Sequence, residues 1–199
     1  MPPIARLQHY PMKNPLFAGA RTALVAATHG RVLEICCETD KNIHYYSPWV
    51  TDLAIVCVEG AAGASQRRTN DRGLPVEVIF CGADSLALPF PDTSFDWVVS
   101  TLTLCRARNA DAILAEVRRV LKPQGGFLFL EHGRSADRTI RGWQRRLRSM
   151  WWNLGGCDLD REIDRMIARA GLPIEKLDRY QLGQPKFLST MYRGCARPV

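Results

Sequence analysis

Short apolar runs alternate with segments of helical periodicity along most of the chain. Apolar and β-branched runs bounded by Gly, Pro or Asp predict seven strands, at residues 32–36, 53–58, 76–81, 97–101, 127–131, 174–179 and 190–196. The first five runs are apolar almost throughout, which is typical of parallel strands covered on both faces. The pattern therefore predicts an α/β fold built on a doubly wound sheet.

Helical periodicity predicts four helices beside these strands. One precedes the first strand, at about residues 18–27, and another begins after the capping residue Asn109 and ends before Pro123. A third covers about residues 160–170 and ends at Gly171, and a basic helix covers residues 138–152. We assign residues 1–30 to an N-terminal helical segment and residues 31–199 to a single domain.

Composition narrows the class of protein. Of the 199 residues, 46% are hydrophobic and 24% are charged, which is typical of a globular domain and too apolar for a disordered chain. No apolar run approaches the ~20 residues needed to span a bilayer, and the N-terminus lacks the apolar core of a secretory leader. We therefore expect a cytoplasmic protein. The net charge of +7 comes without a nucleic-acid-binding motif, so no nucleic acid partner is expected.

Seven cysteines are present, and no two of them have C-x-x-C spacing. Small buried thiols in a reducing compartment explain them better than a disulfide framework does. Four cysteines lie near the ends of the first four predicted strands and, with His132, form an alternative soft-metal site: Cys36, Cys57, Cys81 and Cys105. Their spacing matches no established ligand pattern, so we predict no metal site.

Three carboxylates follow predicted strands, where open parallel sheets bind their ligands. Glu34 lies within the first strand, Glu59 ends the second, and Asp84 follows the third. An acidic residue at the tip of the second strand can accept both hydroxyls of a ribose, and Asp84 can accept from an exocyclic amine. Taken singly, each carboxylate is also explained as a helix cap or a solvated loop residue.

Several segments carry a family resemblance. The segments ADSLALPFPDTSFDWVVS at 83–100, LC at 104–105 and EVRRVLKPQGG at 116–126 closely resemble class I S-adenosylmethionine-dependent methyltransferases. Within that family, LEHGRS at 130–135, WQRR at 143–146, GGC at 155–157 and YRGCARP at 192–198 are similar to small phospholipid and thiol methyltransferases. The resemblance implies a Rossmann-like, seven-stranded, mostly parallel sheet whose last strand is antiparallel.

The resemblance also implies a cofactor, S-adenosylmethionine, and a set of site residues. Glu34 would orient its methionyl end, Glu59 would bind the ribose, and Asp84 with Ser85 would bind the adenine. The segment from Ser100 to Cys105 would line the methyl-transfer cleft, with Ser100 on the cofactor side. The catalytic candidates are Thr101, Cys105 and His132.

The first loop departs from the family pattern. Where the family has Glu-x-Gly-x-Gly-x-Gly, this chain has Cys36, Glu38 and Asp40 at the three glycine positions facing the cofactor. Their side chains remove the space and the positive-φ freedom that glycine provides, and the two carboxylates repel the carboxylate of the cofactor.

Two functional hypotheses follow from this departure. The first is methyl transfer from S-adenosylmethionine to a small amine or thiol acceptor, or to a phospholipid headgroup. The alternative is a methyltransferase-fold protein with lost or weakened cofactor binding, acting as a non-catalytic binding or scaffold partner. A dinucleotide oxidoreductase is less favoured, because its pyrophosphate site needs the same glycines. The sequence leaves the oligomeric state open.

The basic segment 138–152 has five arginines and no acid: Arg138, Arg141, Arg145, Arg146 and Arg148. Ile140, Trp143, Leu147 and Trp151 fall on one helical face. One interpretation is a helix that lies on an anionic membrane surface, peripherally at the inner face. The other is a lid helix whose apolar face packs on the sheet and whose basic face is solvated.

Overall fold

The computed structural model describes residues 15–36, 42–58, 65–69, 73–80, 87–153 and 156–199. These residues form four α-helices, α1 (Pro15–Ala26), α2 (Ala110–Val120), α3 (Arg138–Asn153) and α4 (Ile163–Arg169). They also form eight strands, β1 (Gly30–Cys36), β2 (Val50–Cys57), β3 (Ser65–Thr69), β4 (Pro75–Phe80), β5 (Phe95–Thr101), β6 (Leu121–His132), β7 (Ile174–Gln181) and β8 (Thr190–Ala196). Within the described ranges, every helix is too short or too polar to traverse a bilayer.

All eight strands belong to one sheet, in the order β3-β4-β2-β1-β5-β6-β8-β7. The pairs β4–β2, β2–β1, β1–β5 and β5–β6 are parallel, whereas β8 is antiparallel to both β6 and β7. The predicted seven-stranded sheet with a reversed last strand is therefore confirmed. The edge strand β3 is an addition, and its sequence, SQRRT, has no apolar pattern that would have revealed it.

The predicted helices are present with shifted ends. Asn109 caps α2 as predicted, because its side chain accepts a hydrogen bond from the amide of Ala112. The helix ends at Val120, and Pro123 lies inside β6, which begins six residues earlier than predicted. The sheet register shifts near this point, between Phe95 and Trp97, so a proline is accommodated there without a ladder hydrogen bond.

Side chains alternate between two buried faces of the sheet. Val32 and Cys36 pack against Phe17 of α1 and Trp151 of α3, and we call this side the α1 face. Leu33 packs with residues of α2 and α4 on the other side, the α2 face. Strand β1 pairs with β2 on one side and β5 on the other, so strand order reverses there. Ligands in such sheets bind beyond the carboxyl ends of the strands at this reversal.

Candidate functional site

A buried hydrogen-bonded group lies at the carboxyl end of β1. Glu34 is only 3% exposed, and its two carboxylate oxygens accept from Asn42 Nδ2 at 2.5 Å and from the Tyr46 hydroxyl at 2.7 Å. Asn42 Nδ2 also lies 3.2 Å from the Thr101 hydroxyl oxygen, at the end of β5. Asn42 therefore joins two predicted site residues, Glu34 and Thr101, across neighbouring strands.

This group has more acceptors than donors. Burial raises the pKa of Glu34, and the hydrogen bonds from Tyr46 and Asn42 and the charge of Arg21 offset only part of that effect. The Asn42 Oδ1 atom is buried and has no hydrogen-bond partner among the residues that the structure describes. A buried carboxyl group beside this carbonyl oxygen suits a cationic hydrogen-bond donor, whose charge would favour the ionised form of Glu34. The α-ammonium group of S-adenosylmethionine is such a donor, so these residues fit that end of the cofactor.

A second buried carboxylate organises the loop that follows β5. Glu131 is fully buried and accepts from the Ser100 hydroxyl at 2.7 Å, the Thr103 amide at 3.0 Å and the Cys105 amide at 3.1 Å. Leu102 has a φ of 53°, a left-handed conformation that is uncommon for a branched side chain. This turn directs the following amides toward Glu131. Burial raises the pKa of Glu131, which these hydrogen bonds only partly offset.

A third group contains two cysteines and a histidine. The Cys105 and Cys157 Sγ atoms lie 3.1 Å apart, and His132 Nδ1 lies 3.2 Å from Cys157 Sγ and 4.0 Å from Cys105 Sγ. All three residues are buried, and within the described part of the chain His132 Nε2 has no hydrogen-bond partner. Burial raises the pKa of the Cys105 thiol, whereas the hydrogen bond from Cys105 and the nearby His132 lower the pKa of Cys157.

Ion pairs and backbone hydrogen bonds fix Cys157 beside the loop. Asp158 accepts from Arg148 at 2.8 and 2.6 Å, and the Asp158 amide donates to the Cys105 carbonyl at 2.7 Å. Arg161 donates to the carbonyls of Leu104 and, at 2.6 Å, Ala107. The segment after α3 is thus attached to the loop after β5.

The predicted site residues fall into three sets. Two pairs are brought together, Glu34 with Thr101 through Asn42, and Cys105 with His132. Ser100, predicted to contact the cofactor, is buried and donates to Glu131, and Cys36 Sγ lies 3.5 Å from Cys57 Sγ. The others lie outside the described residues: Glu38, Asp40, Glu59, Asp84 and Ser85.

Four residues of these groups were given no role from the sequence: Asn42, Tyr46, Glu131 and Cys157. Thr103 lies within the segment from Ser100 to Cys105 that was predicted to line the cleft. The clearest available signal was Glu131, a carboxylate directly after the apolar run 127–130 and before His132. Cys157 follows a helix rather than a strand, so a search confined to strand ends did not reach it.

Comparison with known proteins agrees with this arrangement. A family profile described as a methyltransferase domain matches residues 33–129. Over 175 residues, the chain is 33% identical to the human thiol S-methyltransferase TMT1A, covering 85% of this chain and 70% of that protein. The chain belongs to the class I S-adenosylmethionine-dependent methyltransferases. This methyltransferase is also 30% identical to the rat thiol S-methyltransferase TMT1B over 164 residues, covering 79% of this chain and 66% of the relative.

Solved structures share the fold of this methyltransferase. An S-adenosylmethionine-dependent methyltransferase from Mesorhizobium loti matches with a TM-score of 0.60 at 18% identity, covering 90% of this chain and 96% of that one. The [4+2]-cyclase SpnF matches with a TM-score of 0.65 at 18% identity, covering 92% of this chain and 80% of that one. Likeness at this level of identity establishes the fold alone.

Proposed function

We propose that this methyltransferase transfers the methyl group of S-adenosylmethionine to a small thiol. The observation that carries the cofactor assignment is the buried Glu34 carboxyl group at the reversal of strand order, beside an Asn42 Oδ1 atom that lacks a partner among the described residues. The relatives named thiol S-methyltransferases support a thiol among the acceptors that the sequence allowed. An amine and a phospholipid headgroup have no comparable support.

Glu34 and Asn42 would hold the ammonium end of the cofactor. When bound, S-adenosylmethionine would supply an electrophilic methyl group on its sulfonium sulfur, which leaves as a neutral thioether when the methyl group is transferred. From the sequence, we further propose that Glu59 binds the ribose and that Asp84 and Ser85 bind the adenine. The loop containing Glu38 and Asp40 would approach the methionyl end.

The residues at the ends of β5 and β6 would orient the reactants and exclude water from the site. Glu131 fixes the loop after β5, which contains Cys105. Thr101 ends β5, and His132 ends the neighbouring strand β6. Cys105 and His132 are at most 4% exposed, so water has little access to this part of the site. Holding the reactants in line accounts for most of the catalysis that such a transfer requires. The acceptor reacts as its thiolate, the nucleophilic form of a thiol.

Replacing Glu34 with glutamine tests the cofactor assignment. We expect the affinity for S-adenosylmethionine to fall at least tenfold, about 1.4 kcal/mol, because a neutral amide no longer balances the ammonium charge. The amide can still accept from Tyr46 and can donate to Asn42 Oδ1 once the Asn42 side chain turns, so the fold should persist. Titration calorimetry measures the affinity, and circular dichroism checks the fold.

Glu175→Gln is the matched control, because Glu175 is an exposed carboxylate on β7. Equal affinity in the wild-type protein and Glu34→Gln would contradict the role of Glu34. No binding of S-adenosylmethionine by the wild-type protein would instead favour the non-catalytic alternative. Radiolabelled methyl transfer to 2-mercaptoethanol, but not to ethanolamine or phosphatidylethanolamine, would support the thiol assignment.

We also propose that the outer face of α3 binds anionic membrane surfaces. Trp143 and Met150 are each 53% exposed and lie seven residues apart, on the same side of the helix. Arg146 is exposed one turn from Trp143, and Arg138 and Arg145 are exposed farther round the outer face of the helix. Exposed aromatic and apolar residues flanked by arginines are typical of helices that lie in a lipid interface.

The structure changes two details of the predicted helix face. Gln144, not Trp143, is fully buried, and it accepts from the Ser135 amide at 2.8 Å. Arg148 is engaged by Asp158 and is therefore left out of the proposed membrane surface.

Co-sedimentation with phosphatidylserine vesicles tests this surface. Arg145→Gln combined with Arg146→Gln should weaken binding at low salt roughly tenfold or more, because each arginine near the surface contributes about 1 kcal/mol. The control combines Arg165→Gln and Arg169→Gln on α4, which removes the same charge elsewhere. Binding that is insensitive to salt, or equally weakened by both double variants, would contradict the proposal.

A further inference from the structure

The group formed by Cys105, His132 and Cys157 has the composition of a metal site. It combines two thiols and an imidazole from three separate parts of the chain, the loop after β5, the end of β6 and the segment after α3. Their three ligand atoms lie within 4.8 Å of one another. Cys105 and His132 were predicted as catalytic candidates, whereas Cys157 was named only within the family-like segment GGC at 155–157. The structure therefore calls for a separate interpretation of this group.

The distances between the ligand atoms are within 1 Å of the edges of a metal coordination sphere. With Zn–S bonds of about 2.3 Å and Zn–N bonds of about 2.0 Å, tetrahedral angles place two sulfurs about 3.8 Å apart and a sulfur and a nitrogen about 3.5 Å apart. The observed distances are 3.1 Å between the sulfurs and 3.2 and 4.0 Å from the sulfurs to His132 Nδ1. Side-chain movements of less than 1 Å would therefore bring all three atoms onto one ion.

The backbone that carries these ligands is held from several directions. The Cys105 amide donates to Glu131, and the Cys105 carbonyl accepts from the Asp158 amide, next to Cys157. Asp158 is in turn paired with Arg148. Supporting contacts of this kind keep ligands oriented and raise metal affinity.

Charge and burial select the class of ion. The three side chains are exposed by 0%, 4% and 7%, so a cluster with net charge would be costly there. A divalent ion that displaces the two thiol protons to solvent leaves the cluster neutral. Thiolate and imidazole ligands favour zinc over the oxygen-binding ions magnesium and calcium.

We propose that Cys105, His132 and Cys157 bind a divalent thiophilic metal ion, Zn²⁺, through two thiolates and the imidazole Nδ1. The proposal rests on these residues alone and does not depend on the thiol acceptor proposed above.

Metal titration of the full chain tests this site. The protein is reduced, treated with a chelator and titrated with Co²⁺, whose thiolate complexes absorb in the near ultraviolet; Zn²⁺ is then added to displace it. We expect one equivalent of Co²⁺ per chain, complete displacement by Zn²⁺, and an affinity at least tenfold lower in Cys105→Ser, Cys157→Ser and His132→Gln. Cys195→Ser is the control, because Cys195 is a cysteine outside the group and should bind as the wild type does.

X-ray absorption of the zinc-loaded wild type gives a second measurement that needs no variant. Two sulfur ligands and at least one nitrogen ligand around zinc would support the site even where a variant fails to fold. Folded, reduced wild-type protein that takes up less than half an equivalent of Co²⁺ would overturn the proposal. A zinc environment without sulfur, or a less than tenfold effect in folded variants, would overturn it as well. Neither measurement uses methyl transfer, so failure of the proposed function leaves the result interpretable.

Discussion

Replacing Glu131 with leucine is expected to lower the free energy of unfolding by about 3 to 5 kcal/mol and to abolish methyl transfer. The substitution leaves the buried amides of Thr103 and Cys105 and the Ser100 hydroxyl without an acceptor, at about 1 to 3 kcal/mol for each unpaired group. Part of that cost is offset because a buried charge is also removed. Urea unfolding measures the stability, and transfer from labelled S-adenosylmethionine measures the activity.

Glu131→Gln separates the charge of this residue from its hydrogen bonds. Because burial raises the pKa of Glu131, the folded protein holds this proton more tightly than the unfolded chain does. Its contribution to stability is therefore largest below pH 4.5 and falls as the pH rises through the folded pKa. In Glu131→Gln that part of the pH dependence should disappear. A leucine variant as stable as the wild type would contradict the assigned role.

Replacing Asp158 with asparagine is expected to cost about 2 to 4 kcal/mol at pH 7. The side chain of Asp158 is only 8% exposed and is paired with Arg161, which is 13% exposed, and with Arg148, which is 53% exposed. Removing the charge of a buried carboxylate leaves the mostly buried Arg161 without its ionic partner, which is destabilising. Burial acts to raise the pKa of Asp158, but the hydrogen bonds and charge of Arg148 outweigh it and hold the pKa below the usual 3.8. The stabilisation is therefore present above pH 3.8 and is lost as the pH falls through the folded pKa.

Asp178→Asn is the matched control for this prediction. Asp178 also pairs with an arginine, Arg193, at 2.6 Å, but its side chain is 61% exposed. Exposed pairs contribute at most about 1 kcal/mol, so the control should change stability little. Unfolding curves recorded from pH 7 down to pH 3 should show the cost of Asp158→Asn shrinking with acid. A cost that is constant over this range would mean that packing, not charge, is responsible.

The fold was predictable because most of its central strands consist of runs of apolar residues. Leu53 to Val56 and Phe127 to Leu130 are buried on both faces of the sheet, and such burial leaves a strong local signal. Strand β3 has no such apolar signal in its sequence, SQRRT. It lies at the edge of the sheet and pairs only with β4. The start of β6 was missed because Pro123 normally ends a helix and here lies inside a strand.

The site was less predictable because its contacts join distant parts of the chain. Glu34 and His132 were found from their positions at strand ends, but the partners of these residues were not. Asn42 reaches Glu34 from the turn that precedes β2, and Cys157 reaches Cys105 across 52 positions. No local periodicity encodes such pairings, which depend on the packing of helix α3 and the loop after β5.

Strand β8 has a consequence for how the molecule is made. Although β8 follows β7 in sequence, it lies between β6 and β7, and it pairs with β6 from Phe127 to His132. During synthesis, the edge of β6 that later pairs with β8 therefore stays unpaired while more than fifty further residues are added. An unpaired apolar edge is a template for aggregation, so the growing chain is most vulnerable in this interval. His132 pairs with Met191 of β8, so this sheet contact at the site forms only after β8 has been synthesised.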